Sequence, residues 1–164
     1  MNSFFKYFWI VFLLTSCSNN TVFMQYKTIS TNAWHKDSIV KFEVDIIDTI
    51  AKHTIYINIR NDKDYGFNNI FLVTNIDFPN KTVISDTLAY RMTDERGYFL
   101  GTGVTDIKEN KLEFKEKIQF PNKGIYTFSI QHAMRKNGEE KGLVSLDGIV
   151  NVGIEIEKTA LNDK

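Results

Sequence analysis

Val40-Lys41-Phe42-Glu43-Val44-Asp45-Ile46 places an apolar side chain at every second position and a charge at each position between. A period of two belongs to an extended strand with one face against a core and the other in water. Ile55-Tyr56-Ile57-Asn58-Ile59-Arg60, Tyr126-Thr127-Phe128-Ser129-Ile130-Gln131 and Val150-Asn151-Val152-Gly153-Ile154-Glu155-Ile156-Glu157 follow the same rule. Turn chemistry divides the remaining apolar runs. Pro79-Asn80 separates 70–78 from 82–90, and Pro121-Asn122-Lys123-Gly124 separates 112–120 from 125–132. Asn137-Gly138 reads as a tight hairpin of the kind that needs positive φ at both central residues. With a first strand near 22–29, the body contains about eight strands, and no stretch carries a helical period. The expectation is an all-β antiparallel sandwich, Ig-like or jelly-roll-like. Lys41, Glu43, Asp45, Glu155 and Glu157 occupy the faces opposite the core and call for water, which argues against a barrel with a lipid-facing wall.

Length and composition agree with one such domain. The chain has 164 residues, enough for a single core and short of two typical domains. Twenty basic residues against twenty acidic ones leave no field of the kind that neutralises phosphates, so nucleic acid is not an expected partner. Cys17 is the only cysteine, which excludes an internal disulfide, a multi-cysteine zinc site or a CxxC pair.

The first residues carry an address. Lys6 precedes the apolar run Tyr7 to Leu14, and Thr15-Ser16-Cys17 follows, the order of a secretory leader. The run is shorter than the roughly 20 residues needed to span a bilayer. Leu14-Thr15-Ser16-Cys17 resembles the bacterial lipobox. That resemblance implies cleavage after residue 16 and acyl chains on Cys17, which several-fold acylation would hold firmly in a membrane. The resulting plan is a signal peptide over 1–16, a lipidated tether over 17–21, a sandwich over 22–158 and a disordered tail over 159–164.

Signatures of catalysis are sparse. His35, His53 and His132 are far apart and show no metal-binding spacing, and no nucleophile elbow is present. Gly101-Thr102-Gly103 lacks a third glycine and a phosphate-binding lysine, so it reads as a turn. Asp62-Lys63-Asp64-Tyr65-Gly66 lacks the distal glutamate of a calcium loop. A carboxylate pair for glycoside hydrolysis depends on three-dimensional separation, and no pair stands out. The expectation is a non-enzymatic protein without cofactor or metal, working through contact. Trp34, Arg60, Tyr65, Arg91 and Tyr98 mark the candidate interaction surface, a loop region of Trp34, 62–68 and 98–103 that also holds Arg96, since aromatics and arginine dominate interface hot spots. The alternative for Trp34 and Tyr98 is that each plugs an end of the sandwich.

Several segments in fixed order resemble the gliding-motility lipoprotein GldH family of Bacteroidetes. They are Trp34, Tyr56-Ile57-Asn58-Ile59-Arg60-Asn61, Asn69-Ile70-Phe71-Leu72, Asp86-Thr87-Leu88-Ala89-Tyr90-Arg91-Met92 and Gly97-Tyr98-Phe99-Leu100-Gly101-Thr102-Gly103. Gly124-Ile125-Tyr126-Thr127-Phe128, Gln131-His132-Ala133-Met134-Arg135 and Asp147-Gly148-Ile149-Val150-Asn151-Val152-Gly153 continue the match. The resemblance implies a lipid-anchored envelope component of gliding motility, linked to type IX secretion and acting with other motility proteins, with no catalytic residue. Some surface lipoproteins of that phylum carry an acidic run just behind the cysteine. Here no acidic residue precedes Asp37, which favours a periplasm-facing place on the outer membrane. Asp37-Ser38-Ile39, Asp48-Thr49-Ile50 and Asp86-Thr87-Leu88 resemble the phylum's sugar-acceptor motif, making Ser38, Thr49 and Thr87 candidate O-glycosylation sites. A glycan-binding sandwich is the rival reading, with exposed aromatics as stacking platforms.

Overall fold

The fold was analysed in a computed structural model whose described residues are 20–159. The expected signal peptide, Cys17 with most of the expected tether, and the residues beyond 159 lie outside the described residues. In chain order the elements are β1 (Thr21–Thr28), a 3-10 turn (Ser30–Asn32), β2 (Ala33–His35), β3 (Val40–Ile46), β4 (Lys52–Asn61), β5 (Asn69–Asp77), β6 (Val83–Arg91), β7 (Lys108–Gln119), β8 (Gly124–His132), β9 (Ser145–Asp147) and β10 (Ile149–Lys158). The fold is all-β and antiparallel.

Two four-stranded sheets face each other, ordered β1-β10-β4-β7 and β3-β8-β5-β6, with β2 and β9 forming a small third sheet. The eight long strands pair as a nested hairpin around the turn at 78–82. β5 pairs with β6, β4 with β7, β3 with β8, and β1 with β10. Successive pairs fall in alternate sheets, so the long hairpin is rolled up, and rolling adds the contacts β10–β4 and β8–β5. This winding is the jelly roll. It decides between the two sandwich types that the alternation alone leaves open.

The central turn shows how local sequence begins the roll. Lys81 N–H donates to Phe78 O (2.9 Å), Phe78 N–H donates to Thr82 O (2.8 Å), and Asn80 Oδ1 accepts from Thr82 N–H (3.0 Å). Pro79 fits the start of such a turn because it has no N–H to leave unpaired. The Asn137-Gly138 turn differs from the sequence expectation. Glu139 N–H donates to Lys136 O, yet only Gly138 has positive φ, at 83°. It is therefore not the mirror-image turn that requires positive φ at both central positions.

The core lies between the sheets. Phe42, Val44 and Ile46 of β3, Ile55, Ile57 and Ile59 of β4, and Tyr126, Phe128 and Ile130 of β8 are buried there, as the period of two predicts. β4 and β10 are buried on both faces. Glu155 does sit opposite the core but is only 6% exposed. It is held by protein groups, where the sequence reading expected water.

Antiparallel pairing gives the roll two distinct ends. β1, β4, β6 and β8 begin at one end, where β3, β5, β7 and β10 finish. That end receives the chain from the N-terminal side: Lys158 N–H donates to Asn20 O (2.8 Å). Segments 62–68, 92–107 and 133–148, with β2 and β9, gather at the other. A ten-residue strand at about 3.3 Å per residue separates the ends by roughly 30 Å.

Candidate functional site

The loop end opposite Asn20 is assembled on glycine. Gly148, between β9 and β10, has φ 78°, and a Cβ there would stand 2.1 Å from Tyr65 N and 2.6 Å from Asp64 C. The 62–65 backbone can therefore lie directly on it. Asp62 N–H donates to Gly148 O (2.9 Å), Gly148 N–H donates to Asn32 O (2.8 Å), and Asn32 Nδ2 donates to Asp62 Oδ2 (3.1 Å). Asp62 Oδ1 also accepts from Asp64 N–H (2.9 Å). The carboxylate thus serves loop geometry.

Two of the five candidate surface residues are internal. Trp34 has no exposed surface; its Nε1–H donates to Ser38 O (2.8 Å), and its ring meets His132 edge-on at 5.5 Å. Tyr65 is 3% exposed, donates to Asn69 O (2.7 Å) and packs against Phe67 and Phe99. Burial pushes its phenol far above the ordinary value. The two rings close the end of the roll, so neither offers its face to a partner. This corrects the surface expected from sequence.

Arg60 stands apart on the outer face of the β1-β10-β4-β7 sheet. Its Nε–H donates to Glu109 Oε2 (2.7 Å), and its guanidinium carbon lies 4.1 Å from the centre of the Tyr26 ring. Tyr26 O–H donates to Glu109 Oε1 (2.7 Å). Tyr26 can lie flat because it crosses Gly153, where a Cβ would come within 2.6 Å of the ring. Beside this trio, Asn58 Nδ2 donates to Glu155 Oε2 (3.0 Å), and Lys111 Nζ donates to Glu155 Oε1 (3.1 Å) and Glu157 Oε1 (2.6 Å). Burial pushes the Glu155 carboxyl up, but hydrogen bonds from Asn58 and Lys111 outweigh it and hold it below its usual range. Sequence reasoning missed Tyr26, Glu109, Asn58 and Lys111. Gly153 inside a strand was the available signal, since an isolated strand glycine often marks a close approach.

Segment 92–109 gives the loop end two consecutive small hairpins. In the first, Asp94 N–H donates to Tyr98 O (2.8 Å), and Asp94 Oδ1 accepts from the N–H groups of Arg96 and Tyr98 (both 2.9 Å). Gly97 supplies the positive φ, 87°. In the second, Thr102 and Glu109 exchange backbone hydrogen bonds of 2.9 and 2.8 Å. A Cβ on Gly103 would come within 2.4 Å of Ile107 O, so Gly101-Thr102-Gly103 is a paired turn segment, not a phosphate cradle. Tyr98 is 70% exposed, and Leu100 and Val104 are exposed nearby in sequence. Arg91, Asp94, Glu95, Arg96 and Leu100 line an open hollow. Arg91, Arg96, Tyr98 and Leu100 thus remain as surface groups of the candidate site. An aromatic ring, aliphatic side chains and guanidinium groups on a braced scaffold suit contact with a partner.

The candidate sugar acceptors differ in setting. Ser38 is exposed beside β3, Thr87 is exposed on the outer face of edge strand β6, and Thr49 is half-buried in the β3–β4 turn. Among the described residues, no group of three or more His, Cys, Asp or Glu is placed to hold a metal ion, and no helix is long and apolar enough to cross a membrane.

Comparison with known proteins gives a consistent family. The family model for the GldH lipoprotein matches residues 21–156. A protein of Christiangramia forsetii named gliding motility lipoprotein GldH homolog is 47% identical over 157 residues, covering 96% of this chain and 96% of that protein. The gliding motility lipoprotein GldH of Flavobacterium johnsoniae is 42% identical over 146 residues, covering 89% of this chain and 90% of that protein. A solved structure of infectious bursal disease virus, Gx strain, aligns with a TM-score of 0.26 and 14% identity over 87% of this chain and 38% of that one, too low to bear on the fold.

Proposed function

The chain belongs to the GldH lipoprotein family, and from that premise we propose that it is a non-catalytic component or assembly factor of the gliding-motility machinery linked to type IX secretion. Acyl chains on Cys17 hold it to the outer membrane, with the body facing the periplasm. The observation that carries this reading is the polarity of the roll. The chain leaves the Cys17 side at one end, and Tyr98, Leu100, Arg91 and Arg96 stand about 30 Å away at the other, where another envelope protein can reach them. Engagement of Glu109 and Glu155 in hydrogen bonds with Arg60, Tyr26, Asn58 and Lys111 supports a structural use for these carboxylates. Deleting the gene in its own host tests the assignment. Loss of colony spreading, restored by the native gene and not by Cys17→Ser, is expected, together with a secretion defect. Normal spreading in a gliding host refutes it.

A second reading follows from the exposure of Tyr98. Its ring could stack on a sugar, making the loop end a glycan-binding site. Saturable binding of an envelope polysaccharide, abolished by Tyr98→Ala with unchanged stability, would favour that reading. The exposed hydroxyls of Ser38 and Thr87 support proposing them ahead of Thr49 as sugar-bearing positions.

A further inference from the structure

Residues 47–51 join β3 to β4 at the end of the roll that receives the N-terminal segment. Ile47 is 74% exposed and Ile50 85% exposed, so this tip presents two bare aliphatic side chains. The Asp48 carboxylate and the Thr49 carbonyl are engaged in hydrogen bonds. Asp48 Oδ1 accepts from the N–H groups of Ile50 (2.9 Å) and Ala51 (3.0 Å), and Gln119 Nε2 donates to Thr49 O (2.6 Å). Lys158 Nζ meets Asp48 Oδ2 at 2.8 Å, so the tip carries an internal ion pair. Lys158 N–H meanwhile donates to Asn20 O. A single residue therefore bridges the tip to the start of the described chain.

Cys17 lies three residues before Asn20, and three residues reach at most about 11 Å when fully extended. If acyl chains fix Cys17 at the bilayer surface, this end of the roll must lie against that surface. We propose that the Ile47–Ile50 tip inserts into the interfacial layer of the same bilayer. It acts as a second, non-covalent contact that sets the roll upright and aims the 92–109 hairpins away from the membrane. The inference rests on acylation of Cys17, and its occupant is phospholipid. Apolar side chains seek the acyl boundary, while the satisfied backbone donors of Ile50 and Ala51 lower the cost of leaving water. A sugar on Thr49 would hold the tip in water, so the glycosylation reading of Asp48-Thr49-Ile50 and this one exclude each other.

The test uses the full acylated chain in vesicles of phosphatidylethanolamine and phosphatidylglycerol. With Cys17 acylated, Ile50→Cys introduces the only free thiol of the processed chain, and Val104→Cys places one on the opposite end. Each is labelled with an environment-sensitive dye. The Ile50→Cys label should shift to the blue and be quenched by doxyl lipids at least threefold more than the Val104→Cys label, with the order reversed for aqueous iodide. A protein that floats with the vesicles but whose two labels respond alike overturns the tip proposal and leaves the anchor standing. Failure to float or to take up labelled palmitate overturns both. Shielding from iodide without lipid quenching, or a sugar mass on Thr49, also overturns the tip proposal. Ile47→Cys, on the other side of the turn, repeats the test with an independent variant.

Discussion

Replacing Gly148 with alanine tests the construction of the loop end. Alanine at φ 78° takes on the left-handed strain that glycine escapes, about 1–2 kcal/mol. Its Cβ would also stand 2.1 Å from Tyr65 N, and those neighbours are backbone atoms that cannot swing aside. Overpacking of this kind adds about 1–3 kcal/mol. The expected loss is thus about 2–5 kcal/mol, which at about 2 kcal/mol per molar of urea lowers the unfolding midpoint by roughly 1–2.5 M. Two other glycines separate the contributions. Gly97 has φ 87° but nothing within 4 Å of a built Cβ, so Gly97→Ala should cost only the conformational part, about 1–2 kcal/mol. Gly66 has open space and no positive φ, so Gly66→Ala should be neutral or stabilising by up to about 1 kcal/mol. Trp34, fully buried and the only tryptophan besides Trp9, reports unfolding by fluorescence. Equal midpoints for Gly148→Ala and Gly97→Ala would refute the claim that the 62–65 backbone rests on Gly148.

Three further outcomes are expected. Burial lowers the pKa of both His53 and His132, so below about 6.5 the unfolded chain binds more protons than the folded one. Stability should therefore be flat above that pH and fall as pH drops from 6.5 toward the folded-state values, by at most about 1.4 kcal/mol per pH unit for each histidine. Urea titrations at stepped pH measure the slope, and His132→Gln should reduce it. Asp48 is held well below the usual carboxylate range by Ala51 N–H, Lys158 and Ile50 N–H, so its stabilisation is present at neutral pH and is lost only as pH falls below about 4. Lys111→Met removes one partner of the nearly buried Glu155 and should cost about 1–3 kcal/mol, discounted because Lys111 is itself 41% exposed. Adding Glu155→Gln should recover part of that loss, and a double-mutant cycle measures the coupling. Intact-mass analysis of protein from its own host should show sugar that is reduced in Ser38→Ala or Thr87→Ala, while Thr49→Ala leaves the mass otherwise unchanged.

Strand positions were legible because one-sided burial writes itself into the sequence as alternation. Val40 to Ile46 shows it in full, and the structure buries each of its apolar residues. Sheet order was not legible, because it depends on pairings such as Met24 with Glu155 across more than a hundred residues. β2 and β9, three residues each, are too short to display a period. Trp34 shows a different limit: an aromatic residue at the end of a sandwich fits as a plug or as a platform, and the ring that meets it, His132, lies almost a hundred residues further along the chain. Glu155 reads as a solvent residue because alternation reports the face and not what covers it. Tyr26, Asn58 and Lys111 come from three other strands.

Docking through the loop end requires that the 92–109 hairpins, and not an outer sheet face, meet the partner. A photo-crosslinking side chain at position 98 in living cells should capture another envelope protein. The same probe at position 85, exposed on the outer face of β6, should capture far less. Equal capture at both positions, or none at 98 in cells that spread normally, would contradict docking through the 92–109 hairpins.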